Sequence, residues 1–314
     1  MALLQVNTRD GGLRLRGGGG HHWEAGIART LAQTPPDAPV AVMIHGLKFS
    51  PFDGAADPHR HIFAIRPDPG CRKARSWPAG MGFSAEGHAD GFCIAFGWDA
   101  AARNRPAEVG AAYARAAEAG AALSHLLETL AALAPGRRVD ALAHSMGCHV
   151  LLTAMGALRR PVLGRAILMG AADYARTAQT ALANHAASGA EIFNITSESN
   201  AFYDLLFRSF VRPPAHGART LGCGLPDAPR RWVDVPIDCP QTLAALGRRG
   251  VAIAPPTRRV CHWGFYLRPG IFGLYNAILR QRDGWSAPAL RAALTPRAEP
   301  QAAWRPAAAG ATPA

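Results

Sequence analysis

Residues 39–44, Pro-Val-Ala-Val-Met-Ile, are an apolar run without polar alternation, and similar runs return at 91–96 (Gly-Phe-Cys-Ile-Ala-Phe) and 139–143 (Val-Asp-Ala-Leu-Ala). A strand with one wet face alternates apolar and polar residues, so a run without alternation suits a strand covered on both faces. Between the last two runs the pattern changes to a helical one over 107–134. Pro106 suits the first helical position, Val109, Tyr113, Leu123, Leu126, Leu127, Leu130 and Leu133 fall largely on one face, and Pro135-Gly136 stops the helix. A helix from Gly147 to Leu158, a strand at 165–170, a helix at 173–187 and a strand at 190–196 continue the series. Parallel neighbours need long crossovers, and helices supply them, so this order predicts a mostly parallel sheet with helices on both faces.

Around this centre, residues 2–7 and 12–16 read as a hairpin turning at Asp10-Gly11-Gly12. Gly17 to Gly20 and His21-His22 read as a loop; the glycines lack the spacing of a phosphate cradle. The long stretch between 44 and 91, rich in Gly, Pro and His, reads as an excursion with room for a short strand at 62–65. Beyond Asp204 come an amphipathic stretch, a Pro/Gly-rich loop at 212–229, a strand at 232–237 and a helix at 240–249; the segment 251–262 and a last helix at 271–280 follow. One domain is expected over 1–295, with an Ala/Pro-rich disordered tail at 296–314.

Hydrophobic residues make up 49% of the 314 and charged residues 18%, which is enough apolar surface for a large α/β core. The formal charge of +12 raises the question of nucleic acid. Its source is arginine: Lys48 and Lys73 are the only lysines among 34 cations, and the arginines are scattered rather than striped with stacking aromatics. No nucleic-acid partner is therefore expected. The six cysteines, Cys71, Cys93, Cys148, Cys223, Cys239 and Cys261, contain no Cys-x-x-Cys pair, so no metal or redox dithiol is expected. No run approaches the ~20 apolar residues of a membrane helix. The opening Met-Ala-Leu-Leu-Gln-Val-Asn turns polar too soon for a signal-peptide core. A soluble cytoplasmic protein is the expectation.

The segment that carries chemistry is Leu142-Ala143-His144-Ser145-Met146-Gly147. It ends an apolar strand and opens a helix, the context in which a Gly-x-Ser-x-Gly elbow lifts a serine hydroxyl above the sheet edge. Ala143 stands where the first glycine would, a small residue for a small residue.

With His45-Gly46-Leu47 before it and Cys261-His262-Trp263 after it, this segment makes the chain resemble the α/β hydrolases over most of 36–285. The resemblance implies a central, mostly parallel sheet of about eight strands with helices on both faces. Only 59 positions separate Ser145 from Asp204, which leaves no room for a large lid domain. It also implies that the Leu47 and Met146 backbone N–H groups form the oxyanion hole and that no cofactor is needed. A serine hydroxyl needs a base, and the order Ser, acid, His calls for a late histidine. His262, the last in the chain, is the candidate.

The acid stays open. Family spacing points near Asn200, which carries no charge but could serve as a neutral orienter; Asp204 lies one helical turn on and is the favoured acid, with Glu198 nearest the strand end and Asp238 an outside candidate. Asp99, Cys148 and His149 read as structural. Leu47, Phe49, Phe52, Phe202, Tyr203 and Trp263 flank the anchors and predict an apolar pocket mouth. The expected activity is cleavage of a carboxylic ester with an apolar group, through a Ser-His-acid triad and an acyl-enzyme. The rivals are an acyltransferase, thioesterase or amidase on the same residues, and a non-catalytic binding scaffold.

Overall fold

The computed structural model describes residues 3–17, 22–71, 73–83 and 87–295. Part of the expected loop (18–21) and the expected tail (296–314) lie outside the described residues. The N-terminal hairpin pairs β1 (Leu3–Arg9) with β2 (Gly12–Leu15) through the register Arg9↔Gly12. Its turn residues Asp10 and Gly11 both have positive φ, 52° and 74°, the mirror-image turn whose twist matches that of paired strands.

The remaining elements alternate. They are α1 (Trp23–Gln33), β3 (Val40–Ile44), the short α2 (Trp77–Gly80), β4 (Phe92–Gly97), α3 (Pro106–Leu133), β5 (Val139–His144), α4 (Gly147–Ala157), β6 (Leu163–Met169), α5 (Ala175–Ala183) and β7 (Glu191–Thr196). After them come α6 (Ala201–Phe210), β8 (Trp232–Pro236), α7 (Pro240–Arg248), the short α8 (Gly264–Leu267), α9 (Ile271–Arg280) and α10 (Ala287–Leu294). The eight strands form one sheet in the order β2-β1-β4-β3-β5-β6-β7-β8, and every neighbouring pair except β1 with β2 is parallel.

The apolar runs are explained by two cores. Val40, Val42 and Ile44 of β3 face one core with residues of α1, α3, α4 and α5, while Ala41 and Met43 face the other with residues of α2, α7, α9 and α10. Both sets are buried, so the period of two survives in direction but not in polarity. Four connections in a row (α3, α4, α5 and α6) link parallel strands and carry the chain from β4 to β8.

Three local expectations change. Residues 62–65 form turns rather than a strand, because Phe63 N–H bonds locally to the Pro58 carbonyl and Ile62 accepts from Trp77 N–H; both side chains are nevertheless buried. The helix expected over 173–187 ends as α5 at Ala183, where the Asn184 amide donates to the Met155 and Leu158 carbonyls at 2.8 Å and its oxygen accepts from Ala186 N–H. The pattern above assigns no element to 23–33, where α1 lies: it buries Trp23, Gly26, Ile27 and Thr30 only, too thin a stripe to read. Among the described residues no helix is long and apolar enough to cross a membrane.

Candidate active site

The carboxyl ends of β3, β5 and β7 all open on one edge of the sheet, where parallel α/β folds place ligands. Ser145 stands between the last residue of β5 and the start of α4, with φ of 55° and only 5% of its surface exposed. A β-carbon in the left-handed region costs about 1–2 kcal/mol, so the surroundings must hold it there. Ser145 N–H donates to Met169 O at the end of β6 (2.9 Å), and its carbonyl accepts from Cys148 and Ala172 N–H at 3.0 and 3.2 Å.

Two glycines let the β3 loop interlock with this turn. A Cβ on Gly147 would lie 2.4 Å from His45 O, and one on Gly46 would lie 2.7 Å from Ser145 Cβ and 2.8 Å from His144 O. The loop is stiffened by His45, which is fully buried and stacked on Trp98. Its Nδ1–H donates to Gly46 O at 3.0 Å and its Nε2 accepts from Trp98 N–H at 3.1 Å. Burial lowers its pKa to about 3, so this histidine is neutral and structural. Among the described residues neither the Leu47 N–H nor the Met146 N–H donates to a protein acceptor, although Met146 is 2% exposed. Buried donors without a partner are rare in folded chains. Both lie within two residues of the Gly46–Ser145 contact.

His262 arrives from the irregular segment before α8. Cys261 N–H donates to Ser199 O at 2.9 Å, which ties this segment to the loop after β7. The His262 ring is stacked on Tyr203 (centroids 4.6 Å apart, planes at 23°) and lies 4.7 Å from the ring of His144, whose Nε2–H donates to His262 O at 3.1 Å. Burial, then the neighbouring His144 and Lys48, push the His262 pKa well below 6.5. Among the described residues no hydrogen bond joins Ser145 Oγ to His262, and it is His144, the residue before the serine, that brings the two together.

The favoured acid is corrected by this geometry. Asn200, not Asp204, meets the imidazole: His262 Nδ1–H donates to Asn200 Oδ1 at 2.7 Å. Asp204 stands behind it, where its Oδ1 accepts from Asn200 Nδ2–H at 3.3 Å. The reason lies in the start of α6: a one-turn 3-10 helix at Glu198–Asn200 points Asn200 inward, and Asp204, four residues on, falls beneath it rather than beside the ring. The carboxyl of Asp204 has a use there, since an amide that donates to it must turn its oxygen toward His262. Burial raises the Asp204 pKa to about 7.

Glu198 is exposed and makes no bond to His262. Asp238 is scaffold: it accepts from Ser197 Oγ, Ser199 N–H and Ser199 Oγ at 2.6, 2.9 and 3.1 Å and is paired with Arg268. Against the upward pull of burial, those bonds hold its carboxyl below the usual range and fix the loop that presents Asn200. The other candidates resolve as structural. Cys148 is buried, and burial pushes its thiol far up. His149 pairs with the buried Asp173 at 2.9 Å, which also accepts from Tyr113 and Thr177 hydroxyls. The signals missed in the sequence were Tyr203 as a stacking partner and His144 as a clamp on the His262 backbone; single aromatic or histidine residues carry no spacing that announces such contacts.

No match to a curated protein was found. Residues 23–163 match a family described as "Alpha/beta hydrolase of unknown function (DUF900)". The matched stretch runs from α1 to the first residue of β6 and holds the His45–Leu47 loop and Ser145, while Asn200, Asp204 and His262 lie beyond it. With that match and an eight-stranded, mostly parallel sheet covered by helices on both faces, the chain is an α/β-hydrolase-fold protein.

Proposed function

We propose that this protein is a serine hydrolase of carboxylic esters, with Ser145 as nucleophile, His262 as general base and Asn200 as the group that orients the base. The observation that carries this reading is the strained, buried Ser145 packed against Gly46, flanked by the two uncommitted N–H groups of Leu47 and Met146.

A histidine that donates from Nδ1 presents a bare Nε2, the form able to take the proton of Ser145 as its oxygen attacks the ester carbonyl. The negative charge that develops on the carbonyl oxygen falls to the Leu47 and Met146 N–H groups, where each donor is typically worth about 3–4 kcal/mol to the transition state. His262 then returns its proton to the leaving alcohol, and the acyl-Ser145 ester remains. Water, deprotonated by the same Nε2, releases the acid and restores the serine. The imidazolium formed in each half-reaction meets a neutral amide instead of a carboxylate, and the face of Tyr203, 4.6 Å away, supplies part of the missing stabilisation.

Exposed Phe52, Phe202, Leu205 and Val260 lie on loops and a helix at the same sheet edge and favour an ester with an apolar group. All six thiols are free, which favours a cytoplasmic setting. The neutral Asn200 also favours one rival, a scaffold that binds without turnover.

Labelling with a fluorophosphonate followed by peptide mass spectrometry separates the two. An adduct on Ser145 that disappears in Ser145→Ala and His262→Ala supports the hydrolase. A folded wild-type protein without adduct refutes it and leaves the scaffold.

A further inference from the structure

Lys48 and Lys73 are the only lysines in a chain with 34 cations, and both stand at this site. Lys48 directly follows Leu47 and has φ of 78°, a conformation that glycine would adopt without strain. Its N–H is anchored to Ala100 O at 2.8 Å, so the strained backbone is held in place while its exposed side chain remains free. Lys48 stands two residues after Gly46, whose backbone lies against Ser145, and its charge is one of the causes that lower the His262 pKa. Lys73 rests its Nζ 3.7 Å from the centre of the Trp263 ring, and Trp263 is the residue after His262, with their rings 6.4 Å apart.

Among the described residues neither lysine has a carboxylate within ion-pair distance. The acids nearby face elsewhere: Asp204 lies behind Asn200, Asp238 is engaged by Arg268 and two serines, and the Asp99 carboxylate lies 3.9 Å from Arg115. Two positive charges without a carboxylate partner therefore stand at the site, one on the loop that packs against Ser145 and one on the face of Trp263, beside His262.

From this we propose that the substrate's alcohol part carries a negative charge, a carboxylate or a phosphate, received by Lys48 and Lys73. The inference rests on the serine-hydrolase reading above. In that reaction His262 hands its proton to the leaving alcohol, and Lys73, held on the ring of the residue that follows His262, stands on the alcohol side of the ester rather than the acyl side. A lysine ammonium is a compact charge on a flexible stem, suited to an anion whose position varies with the substrate's length. The aromatic wall of Tyr203 and Trp263 accommodates the apolar body between charge and ester.

The test compares two esters with the same acyl group and leaving-group chemistry, para-butyryloxyphenylacetate and the uncharged para-butyryloxyphenylacetamide. The wild type is expected to favour the charged ester in kcat/KM by about tenfold at low salt, with the preference eroding as salt is added. In the double variant Lys48→Met/Lys73→Met the ratio is expected to fall close to one. Equal kcat/KM for both esters in the wild type, or a preference that survives the double substitution, overturns the inference. Fluorophosphonate labelling of Ser145 is run on the same preparations. An adduct with no charge preference overturns only the claim about substrate charge, whereas no adduct and no turnover overturns the hydrolase reading and this inference with it.

Discussion

Replacing Asn200 by alanine removes the single acceptor that His262 Nδ1–H meets, in a place where the asparagine is only 2% exposed and water has no ready access. A buried donor left without a partner costs about 1–3 kcal/mol. The ring is then free to rotate or to move its proton to Nε2, and in either case the form that can deprotonate Ser145 is depleted. At tenfold per 1.36 kcal/mol, this translates into a roughly 5- to 150-fold slower attack by the serine. The bimolecular rate of fluorophosphonate labelling reads that attack directly and requires no knowledge of the natural ester. Asp204→Ala is the informative companion. Its carboxyl reaches the histidine only through the Asn200 amide, by a bond of 3.3 Å, so its loss is expected to slow labelling by about twofold. Labelling of Asn200→Ala at the wild-type rate refutes the orienting role. A larger loss in Asp204→Ala than in Asn200→Ala refutes the order of the network and returns the acid's part to Asp204.

Asp204 also ties stability to pH. Its pKa rises from 3.8 unfolded to about 7 folded, so between those values the native chain holds a proton that the unfolded chain has released. The contribution of Asp204 to stability is therefore fully present below pH 4, falls by up to about 4 kcal/mol as pH climbs to 7, and is lost above that; Asp204→Asn should make the urea midpoint less sensitive to pH between 5 and 8, and an unchanged pH dependence in that variant would refute the assignment. The pKa of His262 lies well below 6.5, and the base is competent above it, so labelling at pH 6.5 should match that at pH 8. A rate already halved at pH 6.5 would show an ordinary imidazole. Gly46→Ala places a Cβ 2.7 Å from Ser145 Cβ and 2.8 Å from a backbone oxygen, and displacing the nucleophile by even part of an ångström should cost about a hundredfold or more in labelling; near-normal labelling would mean that the loop yields easily.

What the sequence determined by itself was whatever rests on local pattern. The unalternating runs at 39–44, 91–96 and 139–143 required a doubly covered sheet, and β3, β4 and β5 lie at its centre with both faces buried. The strand-to-helix turn at Ser145 was equally legible, since a serine between an apolar strand and a glycine-led helix has few other uses. Although its part as the base remains the proposal above, the candidate histidine could be named from its place near the end of the chain. What orients it could not. Asn200 and Asp204 are both polar, four residues apart and on the same face, and one-dimensional spacing cannot say which reaches an imidazole 62 positions away. The charge rule favoured Asp204; the tilt of the first turn of α6, fixed by Asp238, Ser199 and the Cys261 backbone, favoured Asn200. The seating of Lys73 on Trp263, beside His262, likewise belongs to the tertiary structure, because the two residues lie 190 positions apart on loops that only the closed sheet edge brings together.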